Sequence, residues 1–301
     1  MHRALEILRT APFAEPLPCT AAVALLRAEM GVDFARARAR CGFARGHLLD
    51  VVVYVPGGNG HSRESDAAEA LVRSLVGEEL FERWVGSVSA TPTVRGGPLT
   101  VLNSESLEGS ALPIDLLLET VRAAVAGLKL GLSPLPLHST DDEPDWVAFE
   151  LDPDPEAALG SPAQDDLIVC STRTPEAKKS FLQGEPFFSG RFSNSSALFT
   201  YLKYETSKAV PEERLAERTL FERIVRRVLL PDAGVLTGLG LGVRHSYIDL
   251  VLTDPDCARQ RLLPALRAAG IPPRAWLLFF DSELEREFIP IHADGAAPHW
   301  R

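Results

Sequence analysis

Residues 234–253, GVLTGLGLGVRHSYIDLVLT, decide the class of fold. The stretch reads as two strands in succession, GVLTGLGLGV and SYIDLVLT, with no helix-length run between them. Helical segments flank the pair. In residues 211–230, Pro211 takes the first helical position, Glu212 and Glu213 face the positive end, and Arg226 and Arg227 lie near the negative end. Phe221, Ile224, Val225 and Val228 form its apolar stripe. From Asp254 to Gly270 the signals are an Asp N-cap, Pro255 at the first helical position and a terminal glycine. Pro264 falls inside that span and costs about 3 kcal/mol in a regular helix, so a kink or two short helices are expected. Strands joined directly and set among helices predict an α+β fold, with mixed or mainly antiparallel sheets and packed helices, rather than a doubly wound sheet.

The remaining segments extend this pattern. Residues 1–46 read as a helical N-terminal segment, with AAVALLRAEM and FARARARC separated by Gly31 and a possible cap at Asp33. HLLDVVVYVP is a strand. A helix follows with Ala68, Leu71, Val72, Leu75 and Val76 as its stripe, then EELFERWVG and the strand VGSVSATPTV, together one β-α-β unit. PIDLLLETVRAAVAGLKL is a helix, and WVAFEL, DLIVCSTR, SSALFTYLKYE, AWLLFFD and REFIPIH are strands. Two α+β units are expected, 47–160 and 161–301. A loose parallel between LLDVVVYVP-helix-VGSVSA and SYIDLVLT-helix-AWLLFFD raises the idea of two related sandwich-like halves.

Composition excludes several classes. Hydrophobic residues make up 46% and charged residues 24% of the 301, the balance of a globular chain. The cysteines (Cys19, Cys41, Cys170, Cys257) form no C-x-x-C pair, which argues for reduced thiols over a zinc ribbon or disulfide scaffold. The N-terminus lacks the apolar run of a signal peptide or membrane span, so cytoplasm is the expectation. The excess of Arg over Lys is what a GC-rich bacterial genome produces. A net charge of −10 disfavours nucleic acid, whose phosphates need a basic face. Ten acids and no Lys or Arg lie between Asp141 and Asp166, a run read as a solvated loop or as an acidic face for a basic partner. Its alternating Asp152, Asp154 and Glu156 lack the central glycine of a calcium loop.

Three candidate sites emerge. In strand geometry Gly238, Gly240 and Gly242 share one face and the two leucines the other. A bare face of this kind lets a peptide backbone, a ligand or an aromatic ring approach, with Arg244 and Tyr247 beside it. The turn PGGNGHS places Gly58, Asn59 and Gly60 before a helix, where backbone N–H groups can hold an anion, although the Lys-Ser/Thr pair of a P-loop is missing. His292-Ala293-Asp294 supplies two legs of a facial triad for non-haem iron or another divalent metal, with His245 as third ligand and His138 or His299 as substitutes. No G-x-S-x-G or HExxH is present, and Cys170 reads as a core residue.

Two functions follow as expectations. The first is a peptide- or protein-binding protein without a catalytic set: a recognition subunit of a peptide-modifying pathway, or a toxin-neutralising immunity protein. It needs no cofactor and uses the glycine strand and the aromatic segments FFSGRF and WLLFF. The second is a metal-dependent enzyme on His292, Asp294 and His245, which requires the three to converge.

Overall fold

The computed structural model describes residues 15–58, 62–92, 111–133, 146–153, 166–195, 197–206, 208–229 and 233–298. The chain divides into two compact units, residues 1–131 and 132–301. Both are α+β.

In the first unit, α1 (Cys19–Met30) closes on Gly31, whose left-handed φ of 68° lets its N–H reach the Arg27 carbonyl. The strands are β1 (Arg38–Phe43), β2 (Leu49–Tyr54), β3 (Val85–Thr91) and β4 (Leu112–Pro113), in the order β3-β2-β1-β4. β2 and β3 run parallel, connected through α2 (Ser62–Val76) and α3 (Glu78–Trp84), and β1 is antiparallel to both its neighbours. All five residues of the expected α2 stripe are buried. They face a core that includes Leu49, Val51 and Val53 of β2 and Val121 of α4 (Leu117–Gly131).

FARARARC, expected as helix, turns at Ala35 and Arg36 and enters the strand β1 at Arg38. Its small and basic residues alternate with a period of two: Ala37 and Ala39 are buried while Arg38 is exposed. That is strand periodicity, and the sheet takes it. Asp33 caps no helix; its carboxylate accepts the Ala35 N–H in a turn.

The second unit is built on a seven-stranded sheet in the order β11-β10-β7-β9-β8-β6-β5, every neighbouring pair antiparallel. Its strands are β5 (Val147–Glu150), β6 (Leu167–Thr172), β7 (Leu198–Glu205), β8 (Gly234–Gly242), β9 (His245–Leu252), β10 (Ala275–Phe279) and β11 (Phe288–Pro290). β5, expected in the first unit, pairs with β6 here.

Helices α5 (Pro175–Leu182), α6 (Pro211–Leu229) and α7 (Pro255–Ala268) belong to this unit. The central passage β7-α6-β8-β9-α7-β10, with strands ordered β10-β7-β9-β8, has the β-α-β-β-α-β connectivity of the ferredoxin-like split motif. The two β-α-β passages differ in the helices that connect them, two in the first and one in the second, and in strand placement. β2 and β3 are adjacent, whereas β7 lies between the parallel strands β9 and β10.

The sheet is covered on both faces. One core joins α6 and α7 to the sheet through Phe221, Val225, Leu262, Leu266, Leu202, Ile248, Leu250 and Leu277. The other gathers Phe181 of α5 with Phe187, Phe192, Phe199, Tyr201, Tyr247, Trp276 and Phe280. Phe187 and Phe192 of FFSGRF and Trp276 and Phe280 of WLLFF are thus core residues, while Phe188 and Phe279 are half-buried. A strand buried on both faces cannot alternate exposed with buried, and β9 is buried at every position. Pro264 leaves α7 a single helix; it lies on the solvent side, where water can serve the carbonyl it orphans. Of the expected strand REFIPIH, Phe288–Pro290 forms β11, and a 3-10 turn, Ser282–Leu284, precedes it.

Candidate functional site

The glycine face of β8 is filled by its own sheet. A Cβ at Gly238 would meet the Asp249 carboxylate, one at Gly242 the Asp166 carboxylate, and one at Gly240 would lie 2.7 Å from Leu167 Cδ2. The glycines make room for two buried acids rather than for a ligand, which corrects the bare-face expectation. Gly238→Ala and Gly242→Ala are expected to cost about 1–3 kcal/mol in urea unfolding, because a fixed carboxylate must move. Gly240→Ala should cost less, since a leucine terminus can turn aside. Equal, negligible effects at all three would contradict this account.

Asp166 is the centre of the arrangement. It is 0% exposed and accepts the backbone N–H of Arg244 (2.9 Å) and His245 (3.1 Å), the Tyr247 hydroxyl (2.7 Å) and His245 Nδ1 (3.2 Å). Burial pushes its carboxyl up, but the hydrogen bonds from His245, Tyr247 and the Arg244 amide outweigh this and hold it below the ordinary carboxylate value. An ionised Asp166 is acceptor-only, so the proton of the neutral imidazole sits on Nδ1. Burial lowers the His245 pKa, and the Lys203 charge adds to that; the pull of Asp166 does not restore it. Tyr247 is pushed well above its usual value by burial and then by the Asp166 charge, and stays a donor.

His245 opens onto a cavity of about 70 Å³ lined by Lys203, Glu205, Arg244, Arg274, Trp276 and Pro298. Strand register brings these together: Glu205 lies opposite His245, and Lys203 opposite both Tyr247 and Trp276. Arg274 pairs with Glu205 at 3.4 Å and its guanidinium stands 5.9 Å from the Trp276 ring. The indole N–H donates to the Ala296 carbonyl at 2.7 Å, which anchors the segment carrying Pro298. Asp166 engages Nδ1; among the described residues no hydrogen bond engages His245 Nε2, and with Nδ1 protonated that nitrogen carries a lone pair.

The other expected sites are not assembled. The Gly58 N–H donates to the Val55 carbonyl, and the Glu64 carboxylate lies 2.8 Å from where a Gly58 Cβ would stand. An anion there would meet a negative charge and a committed N–H. Asn59 and Gly60 lie outside the described residues. His292 Nε2 bonds the Ile271 carbonyl at 3.1 Å, Asp294 is exposed in a turn, and His245 is held by Asp166. Among the described residues no three His, Cys, Asp or Glu side chains group as metal ligands. His138 and His299 lie outside them.

Of the expected binding residues, Arg244 lines the cavity and Tyr247 braces it through Asp166. Trp276 was expected in the aromatic segment WLLFF, whereas Lys203, Glu205, Arg274 and Asp166 escaped the sequence reading. Lys203 carried one signal: it is a charge at an inward position of the strand LFTYLKYE. Asp166 carried none, being the last of an acidic run read as solvated. Among the described residues no helix is long and apolar enough to cross a membrane. Compared with protein-family models, curated proteins and solved structures, the chain matches none.

Proposed function

We propose that this chain is a recognition protein with no catalytic set of its own, holding an acidic group of a peptide or protein partner in the cavity at His245. One observation carries the reading. Lys203, Arg244 and Arg274 converge with a neutral imidazole and an indole on a single small cavity. Such a cluster supplies charge-assisted donors, while the ring beside it offers apolar contact. A recognition subunit of a peptide-modifying pathway and a toxin-neutralising immunity protein are the two settings this chemistry suits. The acidic run had pointed to a basic partner; the cavity asks for an acidic group instead.

The test compares fluorescent random octapeptide mixtures, one enriched in Asp and Glu and one in Lys and Arg, by anisotropy with the full chain. The acidic mixture should bind about tenfold more tightly, weaken with added salt, and lose that preference in Arg244→Ala/Arg274→Ala. Both arginines are partly or fully exposed, so the double variant should keep its thermal midpoint. Binding that is unchanged in the double variant would overturn the proposal; equal binding of the two mixtures that the double variant weakens would keep the anion site and place its ligand at the peptide terminus.

A further inference from the structure

Within that reading of the cavity as an anion site, we propose that its ligand is the free C-terminal residue of a peptide. The carboxylate would face Lys203, Arg244 and Arg274, and the last peptide N–H would donate to His245 Nε2.

Three properties of the cavity support this class over other acids. The first is charge. Among the described residues that line the site, three are cations and one, Glu205, is a carboxylate, around a neutral histidine. A carboxylate meets charge-assisted donors there.

The second is the chemistry of the lone pair. His245 is 6% exposed, and its Nδ1–H donates to Asp166, so the cavity presents an acceptor among donors. A bare carboxylate brings only acceptors and would leave Nε2 unsatisfied. A C-terminal residue brings both complements, an anionic oxygen pair and an N–H, on either side of one α-carbon. An Asp or Glu side chain sets its carboxylate one or two further carbons from the backbone N–H and matches less well.

The third is the apolar side of the lining. Trp276 alongside provides an apolar wall for the terminal side chain.

The experiment uses the full chain and fluorescent random hexapeptides made without Asp or Glu, in two matched mixtures, one ending in a free carboxylate and one in an amide. The free acid should bind about tenfold more tightly than the amide, the scale of a charge-assisted contact. Arg244→Ala/Arg274→Ala should reduce the acid to the amide's level. N-methylation of the last peptide bond should weaken binding of the free acid to the wild-type chain several-fold, a readout that needs no variant. In His245→Asn, which retains a donor for Asp166 but lacks Nε2, N-methylation should make no difference.

Equal affinity of acid and amide overturns the C-terminal assignment. If the Asp- and Glu-rich mixture still depends on the two arginines in that case, the anion site stands and its ligand is a side chain. If neither mixture depends on them, both readings fall. An unchanged affinity of the wild-type chain for the N-methylated acid overturns the role of Nε2 alone.

Discussion

Asp166→Ala is expected to lower the stability of the second unit by about 3–5 kcal/mol, the cost of removing one partner from a buried charged network. Against a typical total of about 5–15 kcal/mol, that brings many domains close to unfolding at ordinary temperature. The reason lies in what the carboxylate serves. It satisfies the Arg244 and His245 amides, the Tyr247 hydroxyl and His245 Nδ1, while its own carbonyl accepts the Val243 N–H at 2.8 Å. Those contacts pin the turn between β8 and β9, and alanine would leave two side-chain donors and two amides stranded around a void. Asp166→Asn keeps the shape but turns an NH₂ towards groups that are all donors, so an intermediate loss is expected. Urea unfolding followed by tyrosine and tryptophan signals measures both. A loss under about 1 kcal/mol in Asp166→Ala would mean that the hairpin stands without it.

The second large effect concerns the ion pair between Lys178 of α5 and Asp249 of β9, Nζ to Oδ2 2.8 Å, with side chains 4% and 5% exposed. Lys178 lies 5.5 Å and 5.4 Å from the centres of the Phe181 and Phe280 rings, in the aromatic core. Desolvating two ions roughly offsets their attraction, so the pair adds little net stability; removing one ion leaves the other charged and dry. Lys178→Met and Asp249→Asn should each cost about 3–5 kcal/mol. The double variant should cost clearly less than their sum, because neither orphan charge remains. Additive losses would show that the two side chains act independently.

Local pattern determined much of the architecture. The helix 211–229 was legible from a proline start, acids at one end and arginines at the other. The two-strand passage 234–253 announced an antiparallel hairpin, and with it the α+β class. Gly238, Gly240 and Gly242 announced a face where something sits close, without naming what. Local pattern misled where two periods competed, as in FARARARC, and where a side chain's surroundings come from distant chain. Asp166 looked solvated because its neighbours in sequence are acidic; its neighbours in space are a histidine, a tyrosine and two amides.

By itself, then, the sequence determined most of the helices and strands, since caps, breakers and periodicity act over a few residues. The cavity at His245 was decided only by the tertiary structure. Lys203, His245 and Trp276 come from three strands far apart in the chain, and they meet because β7 pairs with both β9 and β10 in one register. That register is set by burial on both faces of the sheet, a condition no short window of residues contains.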